Sequence, residues 1–168
     1  DGTLPLPLVG AGTGTPPQMA PHSLEAEQAL LGAILFDNET LNRIGDKLKP
    51  HHIYDPVHGK LFQTCADMIF KGRLADGVTL KEQFARDGAL QEIGGAGNLL
   101  TLYENAARLS AHAQDYAELI YDLSLRRELT RIGEEITSLA LKPHPGVSAI
   151  DTVEEAERKL FSLAESGT

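Results

Sequence analysis

The chain has 168 residues, a formal net charge of −9, 42% hydrophobic residues, no Trp and a single cysteine. That length and apolar content fit one modest core with tails. The acidic balance and scarcity of aromatics argue against a surface that neutralises DNA phosphates or stacks single-stranded bases.

The lone thiol, Cys65, excludes an internal disulfide and a multi-cysteine zinc site. No apolar run approaches the roughly 20 residues of a membrane-spanning helix. The first residues lack the basic start and apolar centre of a secretory signal, so a cytoplasmic chain without a membrane partner is expected.

Residues 1–20 mix Pro, Gly and Thr without periodicity and read as a flexible tail. Gly10, Gly12 and Gly14 lead into Thr15-Pro16-Pro17 and not into the Gly-Lys-[Ser/Thr] of a phosphate-binding loop. Ser23 caps a first helix, with Glu25 and Glu27 placed to favour its dipole and Ala26, Leu30 and Ile34 on a broad apolar face. Asp37-Asn38 ends it.

Leu41, Ile44 and Leu48 mark a short second helix that Pro50 stops. Pro56 opens a third, with Leu61, Phe62, Cys65 and Ile69 inward and a stop at Gly72. Thr79 and Glu82 match a capping box for a short fourth helix that carries Leu80 and Phe84 inward. After Gly94-Gly95, a fifth helix with Leu99, Leu100, Leu102 and Tyr103 runs to about Ala107. A turn at Arg108-Leu109 then leads to Ser110, the cap expected for a long helix, and so short a connection predicts an antiparallel hairpin.

That long helix, 108–141 with its turn, contains no proline and one glycine, Gly133. At about 100° per residue, Tyr116, Leu119, Ile120 and Leu123 share one side, whereas Leu125, Leu129, Ile132, Ile136 and Leu139 fall roughly opposite. The apolar stripe is therefore expected to change sides, the first half facing its own domain and the second facing another surface. Arg126, Arg127 and Arg131 lie among Glu128, Glu134 and Glu135. They read either as helix salt bridges or as the charged rim of a protein-binding patch.

Pro143, Pro145 and Gly146 make 142–150 a hinge. Residues 151–168 then form a last amphipathic helix, with Asp151 as its cap and Val153, Ala156, Leu160 and Leu163 on one side. About four turns are too few for stability alone, so this face is expected to dock on a partner surface or to fold back on its own domain.

His51, His52, Asp55 and His58 lie close in sequence, but their spacing brings no ligand pair onto one face. A small metalloenzyme built on His51, His52 and His58 stays as an alternative. No Gly-x-Ser-x-Gly elbow supports a catalytic serine. No catalytic, cofactor-binding or metal-binding residue is assigned.

The stretch PHSLEAEQALLGAIL, 21–35, closely resembles the opening signature of the N-terminal domain of bacterial DnaB-type replicative DNA helicases. In order follow Pro50, Tyr54, His58 and Phe62; Asp76 with Val78-Thr79-Leu80; Gly88, Leu90 and Gly94-Gly95; Tyr116-Ala117; and Arg126-Arg127. Glu154-Glu155-Ala156-Glu157 with Leu160-Phe161 is similar to the family's linker helix. Ile53 and Asn98 stand where the family often has aromatics, and His51-His52 where it is frequently acidic.

The resemblance implies an all-α fold: a head over 21–107 including the first arm of a hairpin, the long hairpin helix, the hinge and a detached linker helix. It implies a collar and assembly domain of a hexameric ring, one that pairs with copies of itself as a dimer or a trimer of dimers and docks primase and the helicase loader. Self-assembly is assigned to Leu125, Leu129, Ile132, Ile136, Leu139, Arg126 and Arg127. Docking of the linker on a neighbouring ATPase domain falls to Val153, Ala156, Leu160 and Leu163.

The family's ATPase domain, with its ATP and Mg2+, would follow the linker. The resemblance therefore implies a fragment that has no cofactor, turns over no ATP and binds DNA only weakly, within a replisome at the nucleoid. The helicase-binding domain of a primase is the nearest alternative, disfavoured by the 21–35 signature and the final helix.

Overall fold

The computed structural model describes residues 20–106 and 110–167. The tail expected over residues 1–20, except its last residue, and the turn at Arg108-Leu109 lie outside them. Among the described residues the chain is all-α: α1 (Leu24–Phe36), α2 (Glu39–Ile44), α3 (Pro56–Phe70), α4 (Gly77–Arg86), α5 (Gly95–Ala106), α6 (Ala113–Leu141) and α7 (Ala149–Ser166). Short 3-10 turns at Pro50–His52, Leu90–Ile93 and Ser110–His112 connect them.

The head is organised around α1. Leu30, Ala33 and Ile34 are fully enclosed and Ala26, Ala29, Leu31 and Leu35 nearly so, because α1 is apolar on almost every side and packs against α2, α3, α5 and α6. Phe62 from α3, Leu80 and Phe84 from α4, and Leu99 and Leu102 from α5 complete this core with Ile120 of α6. Each such side chain contributes about 1.5–3 kcal/mol on burial.

Ser23 caps α1 through the Ala26 N–H, and Pro56 is the first residue of α3, as the sequence indicates. Gly72 ends α3 with a φ of +74°, a backbone that side chains with a Cβ rarely adopt.

Several local expectations are corrected. The capping residue of α4 is Asp76, whose carboxylate accepts from the Val78 and Thr79 N–H groups, so Thr79 is the inner partner and not the cap. For α7 the cap is Ser148 and Asp151 is its reciprocal partner. In both, the cap lies one helical turn upstream of the residue expected, because each end of a reciprocal capping box carries a side-chain acceptor. Ser110 begins a 3-10 turn, and α6 proper starts at Ala113. Leu48 is buried but lies beyond α2, which ends at Ile44.

The pairing of the long helix also differs. α5 and α6 pack mainly on α1 and not on each other, so they do not form the hairpin that their short connection implied. The antiparallel partner of α6 is α7, returned by the turn at Gly146 (φ +78°). The final helix is therefore not detached in this structure. Its apolar edge is too short to stand in water alone, and α6 supplies the nearest uncovered surface.

Candidate interaction face on α6 and α7

The stripe of α6 does not change sides. Its buried residues, Ala113, Ala117, Ile120, Tyr121, Ser124 and Ile132, lie within a sector of about 120° at 100° per residue. Half of them are small, and small residues let α1 approach closely without announcing themselves as an apolar stripe. Leu119, counted as inward from its hydrophobicity, is 44% exposed.

Along the second half, Ile132 is buried beneath α7, Leu125, Ile136 and Leu139 are half-buried, and Leu129 stands out at 49% exposure. On α7, Ala156 and Leu163 are half-buried with Thr152 and Lys159, whereas Val153 and Leu160 are exposed. α7 thus meets α6 on one edge of its apolar face, and the rest of that face turns outward. Leu129, Ile150, Val153, Leu160 and Phe161 are exposed large apolar side chains on this helix pair, as are Leu141 and Val147 near its turn. The pair is held at one end by the Tyr121 hydroxyl donating to the Ser166 carbonyl at 2.7 Å and farther along by the Lys159 ammonium on the Glu135 carboxylate. Lys159 keeps the Glu135 carboxyl below the usual carboxylate range.

The two arginines assigned to the same patch part company. Arg126 pairs with Asp122 at 2.8 Å on the open surface, a contact worth little to stability. Arg127 turns inward: it donates to the Pro21 carbonyl at 2.8 Å and the His52 carbonyl at 2.6 Å, and lies 5.5 Å over the Tyr54 ring. Tyr54 in turn stacks on His22 at 4.0 Å.

Behind this clamp sits Glu27, 2% exposed, accepting from the Tyr54 N–H at 2.9 Å, the Asp55 N–H at 3.2 Å and His58 Nδ1 at 3.0 Å. Residues scattered over more than 100 positions therefore tie the start of α1 and the 50–55 segment to the middle of α6. Sequence reasoning gave Glu27 to the helix dipole and Arg127 to helix salt bridges or a charged rim.

The three histidines of the metal alternative separate. His58 is spent on Glu27, while His51 and His52 sit 4.2 Å apart, centroid to centroid, at the edge of a cleft between α6, α7 and the 47–52 segment. Among the described residues no three His, Cys, Asp or Glu side chains are grouped as a metal ion would require. Cys65 is buried, which pushes its thiol up to about 12 and leaves it no useful thiolate. Among the described residues no helix is long and apolar enough to cross a membrane.

Comparison with known proteins places this architecture. Residues 19–122 match the model of the DnaB-like helicase N terminal domain. The replicative DNA helicases DnaB of Rickettsia typhi and Rickettsia prowazekii are 36% and 34% identical to it over 151 residues, about 90% of this chain. The matched region spans 30% and 31% of those relatives' length.

Among solved structures, the N-terminal domain of DnaB helicase from Mycobacterium tuberculosis is similar with a TM-score of 0.77 and 28% identity, over 86% of this chain and 99% of that one. A DnaB-like replicative helicase described together with its interactions with primase gives 0.63 and 25%, over 82% of this chain and 31% of that one.

Proposed function

This chain belongs to the DnaB-like helicase N-terminal domain family, and from that premise we propose that it is the assembly and docking module of a replicative DNA helicase. In this reading it associates with copies of itself in a hexameric collar and receives primase and the helicase loader, while ATP, Mg2+ and unwinding belong to a following ATPase domain. The module itself uses no cofactor and acts in the cytoplasm, at the nucleoid.

The observation that carries the proposal is the row of exposed apolar side chains on α6 and α7, including Leu129, Val153, Leu160 and Phe161. Contiguous exposed apolar surface bordered by charge is characteristic of protein contact sites. Arg126, three positions from Leu129 and paired with Asp122, borders it on α6. One of the similar helicases is described with its interactions with primase, which supports the same class of partner here. Division of labour follows the elements: the head through α5 supports the fold, and α6 with α7 presents the contact.

Sedimentation velocity of the chain across a concentration series tests it. The weight-average mass rises with concentration, and Leu129→Asp, at a position already half-exposed, holds the chain near monomer mass without loss of helicity. An unchanged concentration dependence in that variant removes this face from the assembly interface.

A further inference from the structure

A cleft opens between α6, α7 and the 47–52 segment. Its volume is about 630 Å³, within the range of sites for single small ligands. Five of the chain's 15 Lys and Arg residues line it, against one, Glu128, of its 24 Asp and Glu. In a protein of net charge −9 that is a local inversion of sign.

We propose that this cleft is a binding site for a compact oligophosphate, with Lys47 and Lys49 from the loop, Arg127 and Arg131 from α6 and Lys159 from α7 converging on its charges.

Internal pairing consumes only part of this charge. Arg131 and Lys159 share Glu128 and Glu135. Among the described residues Lys47, Lys49 and Arg127 form no ion pair with a carboxylate. Lys47 reaches the Gly167 carbonyl at 3.5 Å and the Tyr121 ring at 4.6 Å, and Arg127 is held by two carbonyls and the Tyr54 ring.

Burial lowers the Arg127 value, and the charges of Glu27 and Glu128 offset that only in part. His52, whose ring meets Tyr121 edge-on at 4.9 Å, is pushed down to about 4 by burial and then by His51, Arg127 and Lys49. Ser162 adds a hydroxyl on the α7 wall.

Geometry selects the class of anion. The cations come from three elements and face one hollow, which suits several charges on one small molecule; a polymer tracks a stripe of cations along a surface. An extended polyanion leaving this hollow would meet a predominantly acidic exterior. The source is either a nucleotide, whose base would lie on the His51 and Tyr121 rings, or an inorganic oligophosphate.

The test is titration of the chain with sodium tripolyphosphate, with ATP in the absence of divalent ions, and with oligo(dT), followed by calorimetry and by the His52 ring signals in NMR. Tripolyphosphate and ATP are expected to bind one competing site and to raise the His52 titration midpoint. Lys49→Glu, an exposed position that leaves the fold unchanged, should weaken both by about tenfold or more, while Lys81→Glu on α4 should have no effect.

ATP binding much more tightly than tripolyphosphate identifies a nucleotide, and equal affinities identify the phosphate chain alone. The proposal is overturned if neither moves His52 up to ~10 mM, if Lys49→Glu and Lys81→Glu weaken binding alike, or if only oligo(dT) binds.

Discussion

At the scale of the residue, Glu27 and His52 show how much of this head depends on polar groups that a periodicity reading treats as surface. Glu27 satisfies two backbone N–H groups and an imidazole inside the protein. Glu27→Ala strands all three, and the cost of breaking such a buried charged network is about 3–5 kcal/mol. Urea unfolding should register a loss of that size, and a loss under about 1 kcal/mol would mean the network carries little.

His52 gives a pH dependence of definite sign. Its Nδ1 accepts from the Lys49 N–H at 2.9 Å, which requires a neutral ring. Its folded value of about 4 lies below the ordinary 6.5. The unfolded chain therefore takes up the proton first as pH falls, and the contribution of the neutral ring, complete above about 6.5, is lost progressively toward about 4. His52→Asn should flatten the fall of the urea midpoint over that window relative to the parent chain; identical slopes would assign the fall to other groups.

At the scale of the element, α6 shows why apolar counting misplaces a helix face. Tyr116, Leu119 and Leu123 outweigh Ala113, Ala117 and Ser124 in hydrophobicity, yet the small residues are the buried ones, because helix approach is limited by side-chain bulk. The buried side is interrupted at the exposed Glu128 and resumes at Ile132, where α7 covers it. Ile132→Asp should consequently act on α7 and not on self-association: it places a carboxylate in a 3% exposed site and should release the amides of 149–166 to fast hydrogen exchange while those of α1 stay protected. Protection of α7 equal to that of the parent chain would show that Ile132 does not seat it.

At the scale of the whole molecule, a tight polar clamp faces one way and an unsatisfied apolar row another. Pro21, Tyr54, His58 and Arg127, positions on which the family resemblance rests, converge at Glu27 and its surroundings and fix the head to α6. The apolar row lies apart from that clamp. Leu129→Asp should thus alter mass against concentration without touching thermal stability, as the assembly reading requires.

The all-α class, most helix positions, the start of α1 and α3, and the family itself were legible in the sequence, because helical period, capping residues and a long collinear motif are local in the chain. The partner of α6, the inward course of Arg127, the burial of Glu27 and the gathering of cations in one cleft were not. Each depends on side chains from segments dozens of positions apart meeting in space, and no local period or spacing encodes which of two available surfaces a helix will cover.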